Sequence, residues 1–205
     1  MKAIVLAAGL STRMKRQKLL LPFGAGSILS TVLANLTNAK LFDKIVLVTS
    51  RETLTLFETL HADLLASISR SLSTVINEYP EAGQAGSLRL GVEAPREGDF
   101  CVTLGNLPLI TPLHYEIYTT QFLARPGACT ALVPRRKKSF GHPIFFSSVW
   151  RERLAVFLGG VGDTGGRGMI RTYERELLWT EGEDAFFRDV DTAEDYAAIA
   201  HNDKT

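Results

Sequence analysis

AIVLAAGLSTRMKRQKLLLPF, residues 3–23, is the stretch on which the fold turns. From Lys2 to Ala7 the chain reads KAIVLA, with the length and composition of a strand buried on both faces. The pattern then breaks into Gly9, Ser11, Thr12, Arg13 and Lys18. Ligands of a parallel α/β sheet bind at the carboxyl ends of its strands, which is where residues 8–18 leave the first one. Gly9 lets backbone N–H groups approach an oxygen-rich ligand. Ser11 and Thr12 add hydroxyls, and Arg13 and Lys18 add charge. Backbone amides with cations are what a polyphosphate needs. The loop is neither the phosphate-binding pattern GxxxxGK[ST] nor the dinucleotide pattern GxGxxG. On its residues alone it also reads as a turn with solvated charges.

Outward from this loop, strand-like and helix-like runs alternate. KIVLVT (44–49), STVIN (73–77) and FCVTL (100–104) repeat the buried-strand character of residues 2–7. Ile28, Leu29, Val32, Leu33 and Leu36 share one helical face behind Ser27, an N-cap type. Leu54, Phe57, Leu60, Leu64 and Leu65 fit a second helix, and residues 86–94 a third, weakened by Gly91. Residues 111–124 open on Thr111 and Pro112, a helix start. This alternation predicts a single-domain α/β protein, Rossmann-like, with a mostly parallel central sheet flanked by helices. The second half is less regular. CTALVP (129–134) and HPIFFS (142–147) predict two strands pairing antiparallel across RRKKSFG, and helices are expected at 147–157, 166–176 and 192–201. Thr192 is the expected N-cap of the last, with Asp195 at its N3 position.

The 205 residues suffice for one full hydrophobic core, and the whole chain, 1–205, reads as one domain. A formal net charge of +1 supplies no broad field for gathering nucleic acid or an acidic membrane, so neither is expected as a partner. Cys101 and Cys129 each sit in an apolar run and read as buried, unpaired thiols, and no zinc spacing is present. No signal peptide or run of membrane-spanning length is visible, which predicts a cytoplasmic protein.

The order of short motifs resembles the MobA-like nucleotidyltransferase family over nearly the whole chain. Residues 6–23 resemble its signature LxxGxSxRMGxxK through Leu6, Gly9, Ser11, Arg13, Met14 and Lys18. GQAGSLRLGV (83–92), LGNLPLIT (104–111), FGHPIFFS (140–147), GDTGGR (162–167) and DVDTAEDY (189–196) resemble its later segments in order and spacing. LAAG at 6–9 is most similar to the cytidylyl branch that acts on molybdenum cofactor, whereas guanylyl relatives more often carry LAGG.

The resemblance implies an enzyme that moves CMP from CTP to the phosphate of a molybdopterin-type molybdenum cofactor and releases pyrophosphate. Mg²⁺ or Mn²⁺ would assist. A molybdoenzyme or its maturation chaperone would be the downstream partner. Leu6, Ala7, Ala8, Gly9 and Ser11 would meet the nucleotide, with Gly83 and Ser87 in the segment that closes over it. Gly83 also reads as a plain loop residue and Ser87 as a helix cap. Arg13 and Lys18 would hold the triphosphate as the catalytic cations. Gly141, His142, Pro143, Asp163 and Arg167 would contact the acceptor, His142 as a binding group rather than an acid or base. Residue 106 and Asp191 would hold the metal, with Asp189 the less well aligned neighbour; the two aspartates also read as caps of the following helix.

Two positions depart from the family pattern. Lys15 stands where glycine is usual, and Asn106 where the metal-binding aspartate is usual. An asparagine oxygen brings no charge, and hard cations favour carboxylates. Two further readings therefore stand beside the first: a nucleotidyltransferase for a sugar or polyol phosphate, and a nucleotide- or cofactor-binding protein with weakened chemistry.

Overall fold

The computed structural model describes residues 1–11, 14, 16–94, 97–158 and 167–200, with only the backbone of Arg167. Thr12, Arg13, Lys15 and Asp163 of the sequence reading lie outside the described residues. The strands run in chain order β1 Lys2–Ala7, β2 Pro22–Phe23, β3 Gly26–Ser27, β4 Lys44–Thr49, β5 Leu72–Ile76, β6 Phe100–Leu104, β7 Ala131–Arg136, β8 Ser139–Phe140, β9 Ile144–Phe146 and β10 Leu177–Glu181. The helices are α1 Ile28–Asn38, α2 Arg51–Leu60, α3 Ala62–Ile68, α4 Gln84–Glu93, α5 Pro112–Leu123, α6 Trp150–Leu158, α7 Arg167–Thr172 and α8 Ala193–Ala200.

The main sheet has the order β10-β7-β9-β6-β1-β4-β5, with β8 hooked onto β7. The strand that opens the chain is central: β1 pairs parallel with β4 (Lys2 opposite Lys44) and with β6 (Lys2 opposite Phe100). Period-two alternation sends its side chains to two cores. Ala3, Val5 and Ala7 meet Ile28, Leu29, Leu33, Tyr115 and Phe122 on one face. Ile4 and Leu6 meet Val92, Trp150, Leu154 and Met169 on the other. Burial on both faces is why β1, β4 and β6 read as unbroken apolar runs. The antiparallel excursion is β9, which pairs with both β6 and β7. The architecture is mixed α/β with a mostly parallel sheet covered on both faces, as the sequence predicts.

Local signals account for the helix starts. Ser27 and Ser30 cap α1 reciprocally, and Thr111 with His114 does so for α5. Gly91 belongs to α4 because of packing: a Cβ there would lie 2.5 Å from Ile4 Cγ2 and 3.0 Å from Val48 Cγ2. Three expectations are corrected. The helix expected through Leu54–Leu65 breaks at His61 (φ −134°, ψ 37°), leaving Leu60 60% exposed. There the His61 ring bonds Ser27 Oγ at 2.8 Å and packs on Phe57. The helix expected to run to residue 176 ends at Thr172, and the chain enters β10, an edge strand parallel to β7. Helix α6 begins at Trp150, because Ser147 still donates its N–H to Thr130 in continuation of the sheet. Cys101 is a buried free thiol, held well above the usual thiol range by burial; Cys129 is free and half-buried. Among the described residues no helix is long and apolar enough to cross a membrane.

Candidate active site

The carboxyl ends of β1 and β6 meet at Gly105, whose N–H donates to the Leu6 carbonyl at 2.9 Å. A Cβ at Gly105 would sit 3.0 Å from Ala7 Cβ and 3.3 Å from the Leu6 carbonyl oxygen, so only glycine lets the strand ends come this close. A Cβ at Gly9 would meet nothing within 4 Å, so that face of the loop opens onto free space. Ser11 lies in the left-handed region at φ 51°. Its hydroxyl donates to Gln17 Oε1 at 2.9 Å and accepts the Lys18 N–H at 3.3 Å. Ser11 therefore shapes the loop and delivers Lys18, and it does not itself border a cavity.

The Lys18 ammonium donates to Asp191 Oδ1 at 2.5 Å. From the end of β6, Asn106 Nδ2 donates to the same oxygen at 3.1 Å and to the Val190 backbone carbonyl at 3.3 Å, while the Val190 N–H donates to the backbone carbonyl of Asn106 at 3.0 Å. Since a carbonyl only accepts, Val190 determines which end of the Asn106 amide turns toward Asp191: the nitrogen. Capping of α8 falls to other groups. Asp195 Oδ2 accepts from the Asp191 and Thr192 N–H groups and from the Thr192 hydroxyl. The Asp191 carboxylate is thus turned to the cleft. Asp189 stands beside it, held above the usual carboxylate range by burial first and by the Asp191 charge second.

Two cavities open here. The smaller, about 360 Å³, is bordered by Ala7, Ala8, Gly9, Lys18, Gly83, Ser87 and Asn106. The larger, about 810 Å³, is bordered by Gly141 and His142, with a mixed wall whose apolar side chains include Val102, Ile144, Phe146, Met169 and Phe187. Leu6, Gln84, Leu104, Asp189 and Asp191 border both, so the cavities share one wall. Gly83 takes φ 88°, a conformation that favours glycine. Ser87 is no cap, since Gly83 occupies that position; the residue is 5% exposed and its hydroxyl accepts from Asn77 Nδ2 at 2.9 Å. Asn77 also accepts the Tyr79 N–H at 2.9 Å, and so sets the turn that carries Gly83. Gly141 is required because a Cβ would strike the Phe186 carbonyl oxygen. Burial lowers the His142 pKa to about 4, so the ring is neutral at pH 7 and can bind but not act as a cationic clamp. Pro143, after a cis peptide bond, is buried and does not border either cavity.

The structure therefore gathers Leu6, Ala7, Ala8, Gly9, Lys18, Gly83, Ser87, Asn106 and Asp191 at one cavity, and Gly141 and His142 at the other. Sequence reasoning missed Asn77, Gln84, Arg136 and Lys137. Asn77 reads as the end of a strand and the two cations as a polar connection, and no local pattern marks them otherwise. For a divalent cation the donor set is mixed. Asp189 and Asp191 offer carboxylates on the shared wall, and Asn106 offers nitrogen toward Asp191. Among the described residues no three His, Cys, Asp or Glu side chains converge. The arrangement fits a hard cation held jointly by one or two carboxylates and a nucleotide's phosphates, and does not fit a cage made by protein alone.

The chain's overall fold is that of several solved structures. It is similar to Rv0371c from Mycobacterium tuberculosis H37Rv, 25% identical over 98% of this chain and 97% of that one, with a TM-score of 0.74. It is also similar to the same protein in complex with manganese, 24% identical over 98% and 97%, TM-score 0.70. A third is 4-diphosphocytidyl-2C-methyl-D-erythritol synthase from Anaerococcus prevotii, 17% identical over 98% and 94%, TM-score 0.77. No curated protein matches the sequence. The family model described as MobA-like NTP transferase domain matches residues 3–177, and the chain is a member of that family.

Proposed function

We propose that this protein is a cytidylyltransferase that moves CMP from CTP to the phosphate of a molybdopterin-type molybdenum cofactor and releases pyrophosphate. One observation carries the reading: the two cavities share the wall that holds Asp191, with Lys18 on the smaller side. CTP in the smaller cavity and an acceptor phosphate in the larger would meet there. An acceptor oxygen attacks the α-phosphorus in line; the new P–O bond forms as the bond to pyrophosphate breaks. No protein nucleophile is needed, because positioning and charge neutralisation carry such a transfer. Lys18 leaves Asp191 for the triphosphate and neutralises charge on the departing pyrophosphate, with Arg13 as its partner by resemblance. Ser11 holds Lys18 in place. His142 donates or accepts a hydrogen bond at the acceptor, and Asp163 and Arg167 serve the same side by resemblance.

Asp191, assisted by Asp189, would hold Mg²⁺ or Mn²⁺ against the nucleotide's phosphates, and the cation would supply further charge neutralisation there. The manganese complex of Rv0371c supports a divalent cation in this fold. Ala8, 4% exposed at the end of β1, narrows the smaller cavity and supports a pyrimidine over a purine. The apolar side chains in the wall of the larger cavity, Val102, Ile144, Phe146 and Phe187 among them, support a ring-bodied acceptor over a hydroxyl-rich polyol phosphate. Free Cys101 and Cys129 are consistent with a cytoplasmic protein that passes its product to a molybdoenzyme or that enzyme's chaperone.

The test incubates the protein with CTP or GTP, Mg²⁺ or Mn²⁺ and purified molybdenum cofactor, and measures pyrophosphate and the nucleotidylated product. CTP-dependent product supports the reading; product from GTP alone, or from a polyol phosphate alone, overturns it. A second reading, nucleotide binding without efficient transfer, is favoured by the Asn106 nitrogen that faces Asp191. Tight CTP binding with no transfer to any acceptor would select it.

A further inference from the structure

We propose that Arg136 and Lys137, at the tip of the β7–β8 hairpin, form a second anion site in the larger cavity, which binds a negatively charged group of the acceptor other than the phosphate that attacks CTP. The inference rests on the reading of that cavity as the acceptor's.

The hairpin tip reads RRKK, residues 135–138, four successive cations in a chain of net charge +1. Pairing of Arg135 with Phe140 and Arg136 with Ser139 closes it tightly. Arg135 is occupied locally: its Nε donates to the Lys137 carbonyl at 3.0 Å and its guanidinium lies over Trp179. Arg136 is held in place by Asp184 at 2.5 Å and by the Phe187 ring at 4.8 Å. Asp184 also faces Arg188 at 3.5 Å, so one carboxylate answers two guanidiniums. Among the described residues Lys137 and Lys138 have no carboxylate partner, and positive charge is left in excess. Lys137 sits at φ 54°, where a turn favours Gly or Asn. The chain keeps a cation there against the local backbone preference.

Position gives this charge its meaning. Arg136 and Lys137 border the larger cavity and are absent from the smaller one, while the wall common to both carries Asp189 and Asp191. Between them the wall carries the apolar side chains of Val102, Ile144, Phe146 and Phe187. A molecule seated in the cavity meets the reaction centre at one part and the two hairpin cations at another, with apolar side chains along the wall between. An acceptor anionic only at its attacking phosphate would leave Lys137 without a counter-charge and Arg136 with only a share of Asp184. A surface patch for an acidic protein would have no need to line a cavity, so a small-molecule anion is the occupant these positions favour.

The experiment uses the full chain and two readouts. The first needs no knowledge of the acceptor: titration with anilinonaphthalene sulfonate, an apolar ring body with one fixed negative charge, followed by fluorescence. Wild type is expected to bind one equivalent. Lys137→Asn, chosen because asparagine tolerates the left-handed turn, should weaken binding roughly fivefold. Lys137→Glu should weaken it further, Lys137→Arg should restore it, and Lys138→Asn, outside the cavity, should leave it unchanged. Matched melting temperatures exclude the dye binding loosened protein. The second readout is transfer: in Lys137→Glu the KM for molybdenum cofactor should rise with CTP affinity unchanged. Absence of dye binding, or equal loss in Lys137→Asn and Lys138→Asn, overturns the site. A wild type that transfers to no cofactor but shows the charge-dependent dye series would fail the functional reading while keeping the anion site.

Discussion

Asn106 presents its amide nitrogen to the carboxylate of Asp191 at 3.1 Å, and the Lys18 ammonium reaches the same oxygen at 2.5 Å. A residue that family resemblance casts as a metal ligand thus acts here as a donor to the other one. The negative charge of Asp191 is met by a lysine and an amide before any nucleotide arrives.

Replacing Asn106 with aspartate should reverse that balance. Asn106→Asp removes the donor and sets a second carboxylate against Asp191 and the Val190 carbonyl, so the metal-free protein should lose roughly 1–3 kcal/mol. Mn²⁺ or Mg²⁺ should return most of this, because two carboxylates make a better site for a hard cation. Metal titration and thermal melts of both proteins, with and without CTP, provide the check, and transfer activity should rise in the variant. Equal metal affinity in the two proteins would show that residue 106 does not act on the metal.

Lys18→Ala should separate nucleotide binding from folding. Lys18 and Asp191 are only 14% and 26% exposed in their side chains, but Asn106 still donates to Asp191 in the variant, so loss of the pair should lower stability by roughly 1–3 kcal/mol. CTP affinity should fall at least tenfold, as expected for a charge-assisted contact to phosphate. Calorimetric titration beside a denaturant midpoint distinguishes the two effects. Normal CTP binding would exclude the residue 8–18 loop as the triphosphate site.

His142 predicts a pH signature. Burial lowers its pKa from 6.5 to about 4, so between those values the unfolded chain binds the proton that the folded chain refuses. Stability from this group is full above pH 6.5 and is lost as pH falls toward 4, by up to about 3 kcal/mol. His142→Asn should flatten that limb of the stability curve. It should also impair use of the acceptor while CTP affinity stays the same.

Gly91→Ala sets helix propensity against packing. In an exposed helix the change would stabilise by about 1 kcal/mol. In α4 the added methyl meets Ile4 at 2.5 Å, so the variant should instead lose roughly 1–3 kcal/mol as strand and helix shift apart. Urea midpoints decide the sign.

The bounds of β1, β4 and β6 and the capped start of α1 were legible in the sequence because each depends on neighbours within a few residues: an unbroken apolar run, or a serine ahead of an apolar face. The order of motifs placed Lys18 and Asp191 in one family pattern. The cap of α8 was legible too, since Thr192 and Asp195 bond reciprocally as their spacing predicts, but only the tertiary structure could turn Asp191 toward Lys18, because the local sequence DVDTAED also allows Asp191 to cap. It also decided that the Asn106 nitrogen faces the cleft, because the deciding carbonyl belongs to Val190, 84 residues away. The same holds for β10, which becomes a strand by lying beside β7, and for Arg136 and Lys137, whose charges gain a cavity when the hairpin folds over Phe187. Periodicity and capping are local and survive in a string of residues. The direction of a side chain and the partner of an edge strand depend on groups that only folding brings within reach.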